Sequence, residues 1–162
     1  MKISSEKLHN AIEDFNNLFG RNPTSFYLGR KEMHDYREMA DFFDVTDKYS
    51  WATRNLRFFE IRIYPVNNRF SYFGQGIGVN KYFKNNIFKK ITDIINKYQH
   101  IEKEISLYFG ENTTSQLGDV FGVQKPEPGI PLEYNLTFNG SPVIVINRPN
   151  HIGVGIKHLL YR

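Results

Sequence analysis

The sequence contains no cysteine among its 162 residues. Disulfides, thiolate nucleophiles and zinc–thiolate sites are therefore excluded together. It also lacks any apolar run approaching the roughly 18 residues that a membrane-spanning helix requires. No apolar stretch of the signal-peptide kind follows the N-terminus, so we expect a protein of a reducing compartment that does not enter a membrane.

Motifs for catalysis and for cofactor binding are also missing. The five histidines form no His-x-x-x-His pair, and no nucleophile-elbow motif is present. The run Gly74-x-Gly76-x-Gly78 has neither the dinucleotide nor the Walker spacing, and we interpret it as a flexible loop instead of a phosphate site. We therefore expect a protein that is not an enzyme and has no cofactor and no metal.

Large aromatic side chains are abundant, with ten tyrosines and fourteen phenylalanines. Hydrophobic residues make up 40% of the chain and charged residues 23%, which is typical of a folded globular protein. The length suits one domain, and we detect no internal repeat and no linker. Together these features predict a single α+β domain over 1-162.

The segment 80-110 predicts one long amphipathic helix. Apolar side chains recur there at alternating steps of four and three residues, which places them on one helical face. They are Ile87, Ile91, Ile94, Tyr98, Ile101, Ile105 and Tyr108. Asn80 is the expected N-cap, and Gly110 stands where a left-handed residue commonly ends a helix. We expect this helix to organise the core.

Shorter elements are predicted on both sides of that helix. Periodicity indicates two N-terminal helices, at 4-19 and 31-43, with a strand at 24-28 between them. Further strands are predicted at 56-64, 69-73, 116-123, 134-138, 141-146 and 151-160, with turns at Asn67-Asn68 and Asn139-Gly140. The predicted fold class is α+β, with antiparallel sheet(s) of hairpins packed against one long amphipathic helix and two shorter N-terminal helices.

Basic residues are concentrated in the segment 54-90. It contains eight lysines and arginines and one acid, Glu60, although the whole chain is only +4. Aromatic residues alternate with these charges, as in proteins that stack nucleobases and follow phosphates. The candidate nucleic-acid or anion-binding residues are Arg57, Arg62, Arg69, Lys81, Lys84, Lys89 and Lys90. The open alternative is that the lysines only solubilise the helix and the rings belong to the core.

Two patches of the sequence resemble tailed-phage virion proteins of the major-capsid type. Residues 22-33, Asn-Pro-Thr-Ser-Phe-Tyr-Leu-Gly-Arg-Lys-Glu-Met, are similar to the place where those proteins pass from a strand into a short helix. Residues 136-145, Leu-Thr-Phe-Asn-Gly-Ser-Pro-Val-Ile-Val, with the glycine-rich 152-155, resemble their hairpin and the strand after it. The chain is too short for a full capsid protein, so the resemblance implies a small phage-encoded virion or accessory protein.

The leading hypothesis is therefore a non-enzymatic phage virion structural or accessory protein that acts through protein–protein contacts. Its expected partners are other virion or host proteins or a second copy of itself, in the host cytoplasm or the virion. The alternative hypothesis is a nucleic-acid-binding protein that uses the basic and aromatic segment 54-90. An inhibitor of a host protein would have the same surface chemistry as the leading hypothesis.

Overall fold

The structure is a computed structural model that describes residues 2–43, 56–118, 122–123 and 136–158. The helices are α1 (Ser5–Phe19), α2 (Arg30–Phe43), α3 (Ile87–Lys97) and α4 (Glu111–Leu117). The strands are β1 (Ser25–Leu28), β2 (Arg57–Phe58), β3 (Ile61–Pro65), β4 (Phe73–Asn80), β5 (Ser106–Phe109), β6 (Gly122–Val123), β7 (Leu136–Phe138), β8 (Ser141–Val145) and β9 (His151–Lys157). Contacts divide the chain into a first unit, Met1–Ile77 with Lys157–Arg162, and a second unit, Gly78–Ile156.

In the first unit, α1 begins and ends where the sequence predicts. The Ser4 side chain accepts a hydrogen bond from the Lys7 backbone N–H, and Gly20 closes the helix at φ 75°. The strands follow in the order β2-β3-β1-β4, with β1 parallel to β3 and antiparallel to β4. The predicted helices at 4-19 and 31-43 and the strand at 24-28 are confirmed.

The core of the first unit combines the apolar faces of its helices and strands. Leu8 and Ala11 of α1 lie in one cluster with strand residues such as Phe26 and Ile63, all of them almost fully buried. The Tyr36 hydroxyl of α2 donates to the backbone oxygen of Arg57 at 2.6 Å, which ties β2 to that helix. Burial of this apolar area supplies most of the favourable free energy that stabilises such a unit.

In the second unit the strands follow in the order β9-β5-β8-β7-β6. The β7–β8 hairpin turns at Asn139 and Gly140, where φ is 49° and 82°. Positive values at both central residues define a type I′ turn, so the predicted Asn-Gly hairpin is confirmed. The last predicted strand is also present, as β9.

The two units repeat one pattern of strand pairing. In the first, Tyr27 of β1 lies opposite Tyr64 in a parallel pair and opposite Gly74 in an antiparallel pair. In the second, Tyr108 of β5 lies opposite Ile144 and Gly153 in the same two arrangements. Each unit therefore places its β1 or β5 strand between a parallel neighbour and an antiparallel one. Apart from the additional strand β6 in the second unit, the described elements follow the same order along the chain.

The repeat extends to individual hydrogen bonds and residues. The N–H of Gly29 donates to Tyr72 O, and the N–H of Gly110, at the matching position, donates to His151 O. The sequence around these glycines is Ser-Phe-Tyr-Leu-Gly at 25-29 and Ser-Leu-Tyr-Phe-Gly at 106-110. The expectation of no internal repeat is therefore wrong, whereas a single domain over 1-162 stays a prediction.

The long helix predicted for 80-110 is wrong. Its first residue, Asn80, ends strand β4, the helix α3 covers only Ile87–Lys97, and residues 106-109 form strand β5. Ile101 and Ile105 are buried, as predicted, but from the non-helical connection between α3 and β5. Periodicity misled here because the strand Ser-Leu-Tyr-Phe is buried on both faces, and such a strand has no alternating pattern to distinguish it.

Three further predictions are corrected. The strand predicted at 56-64 is a hairpin, β2–β3, that turns at Phe59 and Glu60, and β3 then pairs in parallel with β1, so the sheet is mixed and not composed of antiparallel hairpins. The glycine run lies inside strand β4 and not in a loop, with Gly74 opposite the bulky Tyr27. Residues 111-117 form a helix, α4, so the strand predicted at 116-123 is wrong for Gln116 and Leu117, whereas its last two residues form β6.

Some predictions concern residues outside the described ranges. These are the first two residues of the basic segment 54-90, residues 119-121 of the strand predicted at 116-123, residues 134-135 of the strand predicted at 134-138, and residues 159-160 of the last predicted strand.

Candidate functional site

The structure separates the predicted basic residues into groups. Arg57, Arg62 and Arg69 belong to the first unit and the four lysines to the second. Arg57 and Arg62 lie directly opposite each other on the β2–β3 hairpin, and Lys81 and Lys90 lie over one ring, that of Phe83. Arg69 lies instead in the connection between β3 and β4, where its backbone oxygen accepts a hydrogen bond from the Arg30 N–H at 2.8 Å.

We name Arg57–Pro65 the arginine hairpin. Arg57 and Arg62 face the same side of it, because directly opposite residues of an antiparallel pair do so. Within the described ranges, no carboxylate forms an ion pair with either guanidinium. Like charges opposite each other cost a few tenths of a kcal/mol up to about 1 kcal/mol. The hairpin therefore carries a charge arrangement that disfavours its own pairing.

Phe59 forms the tip of the arginine hairpin. Its φ is 55°, a conformation that is rare for bulky residues and costs roughly 1–2 kcal/mol. Its side chain is 66% exposed, yet it is supported by the ring of Phe58 at 4.9 Å, edge to face, and by His9 at 5.7 Å. The tip is therefore a rigid aromatic side chain presented to solvent.

The second copy of the repeat has neither a pair of opposed arginines nor a phenylalanine with positive φ at its turn. Its hairpin turns at Asn139-Gly140, which adopt positive φ with little cost, where the first copy has Phe59-Glu60. Thr137 and Pro142 lie opposite each other there, at the positions of the two arginines. Phe138, like Phe58 of the first copy, is buried beneath the turn.

A second exposed ring of the first unit is Phe70, in the connection before β4. It is 75% exposed, and the Arg30 guanidinium carbon lies 5.9 Å from its centroid. Its backbone is held in place because the Lys31 N–H donates to Phe70 O at 2.8 Å. Nearby, the buried Glu32 accepts from the Tyr72 N–H at 3.0 Å. Phe70 is thus exposed on a fixed backbone.

We name residues 79-90 of the second unit the lysine–aromatic segment. It has four lysines and no acidic residue, and all four lysines are exposed. Tyr82 and Phe88 are 57% and 46% exposed. The ammonium groups of Lys90 and Lys81 lie 4.4 Å and 5.5 Å from the Phe83 ring centroid, in cation–π geometry. The segment therefore offers positive charge and exposed rings together.

The segment also leads into helix α3 with unfavourable charges. Lys89 and Lys90 lie in the first turn of that helix, and this turn contains no acidic residue. Cations at a helix N-terminus oppose the macrodipole, typically by about 0.3–1 kcal/mol each. An anionic partner would offset this cost.

Beside this segment, a buried histidine is held neutral. Burial first, and the charge of Arg148 second, lower the pKa of His151 to about 3. Its Nδ1 lies 2.5 Å from Asn80 Oδ1, at the end of β4. The imidazole therefore adds no positive charge at neutral pH, and we assign it a structural role.

No group of three or more histidine, aspartate or glutamate side chains that could hold a metal occurs within the described ranges. Among the helices described above, none combines the length and apolar character needed to cross a membrane.

Comparisons with known proteins add no relatives. No family model, no curated protein and no solved structure matches this chain.

Phe59 and Phe70 are site candidates that the sequence did not predict. In the sequence alone, each is indistinguishable from a strand residue or from the other rings of a mixed aromatic and basic segment. One signal was available for Phe59: the order Phe-Phe-Glu-Ile interrupts alternation, since Phe58 and Phe59 are adjacent and both apolar.

Proposed function

We propose that this chain is a non-enzymatic protein that acts through protein–protein contacts. The observation that carries the proposal is the exposure of two backbone-fixed phenylalanine rings, Phe59 and Phe70, on the first unit. Aromatic residues, together with arginine, are enriched where protein interfaces gain most of their energy. The Arg30 guanidinium carbon lies 5.9 Å from the Phe70 ring centroid, and Arg57 precedes Phe59 by two residues in the chain.

The energy available from these rings is substantial. A phenylalanine side chain that passes from largely exposed to buried contributes roughly 2 kcal/mol, from about 25 cal/mol per Å² of apolar area. Two such rings on a fixed backbone would contribute roughly 4 kcal/mol, equivalent to about three orders of magnitude in affinity. Little side-chain entropy is lost, because the Phe59 ring already packs against Phe58.

The setting we propose is the one that the sequence resemblance implies, a phage-encoded virion or accessory protein. The support is the pair of patches at 22-33 and 136-145. Mass spectrometry of purified virions from a phage that encodes the chain tests this part, and absence from both virions and infected-cell assemblies contradicts it.

Affinity capture from a native lysate, with light scattering on the purified protein, tests the protein–protein contacts. We expect wild-type protein to retain specific proteins or a second copy of itself, and the Phe59→Ser, Phe70→Ser double variant to lose them. The matched control is Tyr82→Ser with Phe88→Ser, which removes two exposed rings from the second unit. A strictly monomeric protein that retains no protein contradicts the proposal.

A second candidate function is nucleic-acid binding by the lysine–aromatic segment. The observation that favours it is the combination of four exposed lysines, two exposed rings and no acid within residues 79-90. Bases stack on exposed aromatic side chains while lysines follow the phosphates. If all four lysines contact phosphates of a single strand, the logarithm of affinity falls with the logarithm of salt with a slope of about −3.

Fluorescence anisotropy of a labelled oligothymidine at low and at physiological salt tests this candidate. Lys84→Ala with Lys89→Ala is expected to reduce the slope by about half, since each lysine accounts for about 0.7. Lys97→Ala with Lys103→Ala removes the same charge elsewhere in the second unit and serves as control. No measurable anisotropy change at low salt dismisses the candidate.

A further inference from the structure

We infer that the arginine hairpin, Arg57–Pro65, is the element that contacts the partner, and that the partner is a protein surface with carboxylates beside an apolar pocket. This inference rests on the proposed protein–protein function and names the contact within it. It is carried by the difference between the two copies of the internal repeat.

Phe59 adopts an unfavourable conformation. A phenylalanine at φ 55° is strained, and its ring is 66% exposed, so the strain is not compensated by burial within the described structure. Strained residues that persist in a fold are concentrated at binding and catalytic sites. Phe59 is a strained residue of this kind.

The arginine pair is a second unfavourable feature of the same hairpin. Arg57 and Arg62 lie directly opposite each other, and no described carboxylate forms an ion pair with them. Repulsion between them weakens the hairpin. A carboxylate placed between the two guanidinium groups would convert that repulsion into charge-assisted hydrogen bonds.

The second copy of the repeat shows that the fold requires neither feature. At the matching positions it has Thr137 opposite Pro142, and Asn139 followed by Gly140 at the turn. That hairpin nevertheless forms with the same register and the same kind of buried phenylalanine beneath the turn. The two unfavourable features are therefore peculiar to the first hairpin, and binding explains both at once.

The chemistry of the hairpin selects a protein over a nucleic acid. Glu60 is exposed next to Phe59 and would oppose the continuous negative charge of a phosphate backbone at the tip, whereas a protein can place its carboxylates at the arginine pair and an apolar pocket at the tip. Arginine guanidinium groups bind carboxylates in a bidentate fork, and a rigid phenylalanine suits an apolar pocket. The backbone of the hairpin is held in place, since the Tyr36 hydroxyl donates to Arg57 O at 2.6 Å.

Grafting the second copy's turn onto the first tests the strain. The variant is Phe59→Asn with Glu60→Gly, and the expected result is an increased urea midpoint of unfolding, because these residues adopt a two-residue hairpin turn at low cost. A decreased midpoint would overturn the argument from strain. Circular dichroism of the variant reports whether it folds.

Binding is tested with a random glutamate–tyrosine copolymer as probe, and oligothymidine as the competing probe. We expect wild-type protein to bind the copolymer at least tenfold more tightly than the turn graft does. The same loss is expected for Arg57→Thr with Arg62→Thr, a pair of substitutions that leaves the first hairpin without a basic residue, like the second. Lys97→Ala with Lys103→Ala, which removes the same charge, is expected to leave binding unchanged.

The alternative outcomes separate this inference from the proposed function. If wild type and both hairpin variants bind the copolymer equally, the inference is overturned, whereas the capture experiment with wild-type protein still decides the proposed function. If oligothymidine displaces the copolymer from wild type but not from the hairpin variants, the occupant is a nucleic acid and the inference is equally overturned.

Discussion

Replacing Gly110 by alanine tests a close backbone approach in the second unit. A Cβ at this position would lie 1.8 Å from the Arg148 carbonyl oxygen and 2.5 Å from that of Pro149, whereas real Cβ contacts essentially never fall under 3.0 Å. Backbone must therefore move by more than an ångström, and the hydrogen bond from the Gly110 N–H to His151 O at 3.0 Å would move with it. Overpacking typically costs about 1–3 kcal/mol, and this clash belongs at or above the upper end.

Urea unfolding followed by circular dichroism measures the cost. Gly140→Ala is the matched control in the same unit, since no described atom lies within 4 Å of its Cβ position, but its φ of 82° disfavours alanine. We expect about 1 kcal/mol for the control and about 3 kcal/mol or more for Gly110→Ala. Equal losses for the two variants, or a loss under about 0.5 kcal/mol for Gly110→Ala, would refute the packing argument.

Three further substitutions have defined outcomes. The pKa of His151 in the folded state, about 3, lies below the ordinary value of 6.5. Acidification between these values therefore protonates the unfolded state first and lowers the free energy of unfolding by up to about 1.4 kcal/mol per pH unit. Urea unfolding of His151→Gln at a series of pH values is expected to show a shallower pH dependence than wild type, and an unchanged dependence would contradict this. Glu32→Ala leaves the buried N–H of Tyr72 without its acceptor at 3.0 Å and is expected to cost about 1–3 kcal/mol in urea unfolding, with Glu32→Asp less damaging. Tyr36→Phe removes the donor to Arg57 O and is expected to lower the free energy of unfolding by about 0.5–1.5 kcal/mol. It is also expected to speed amide exchange in the arginine hairpin, whereas a purely local effect on α2 would leave that exchange unchanged.

Local signals in the sequence were enough to place several elements. Helix α1 has a serine cap and a glycine stop, and the β7–β8 hairpin has an Asn-Gly turn, so side-chain chemistry within a few residues determines their ends. Strand β9 is similarly bounded by Pro149 and Asn150. In each case the deciding interaction is local, and the sequence contains it directly.

The segment 80-110 could not be resolved in the same way, because tertiary contacts decide its ends. Asn86 adopts φ 61° at the start of α3 and does not cap it through its side chain, so no capping signature marks that boundary. Strand β5 exists because it pairs with β8 and β9, and its neighbours along the chain carry no strong turn signal. Spacing of apolar residues alone cannot distinguish this arrangement from a continuous helix.

For the candidate site, the sequence supplied the basic residues but not their arrangement. That Arg57 faces Arg62 depends on a turn in which Phe59 adopts a positive φ, a conformation that phenylalanine disfavours. The pair Phe-Glu is uncommon in a turn, so the sequence around it is interpreted as the interior of a strand. For this reason neither the turn nor the exposed Phe59 ring is predicted. The same features that hid the hairpin from sequence analysis are those that distinguish it in the structure.

Comparing the two copies of the repeat separates what the fold demands from what it tolerates. Three buried residues of the first copy recur in the second with the same residue types. They are Ser25, Tyr27 and Gly29, which correspond to Ser106, Tyr108 and Gly110, and all six are buried. Positions that serve the fold therefore keep their residue types in both copies. Phe59, Arg57 and Arg62 of the first hairpin do not recur in the second. Each is less favourable for forming a hairpin than the residue at the matching position of the second copy. The second hairpin satisfies the same strand pairing without them, so the fold does not require them. Contact with a partner, as we propose, accounts for both the exposed ring and the pair of arginines.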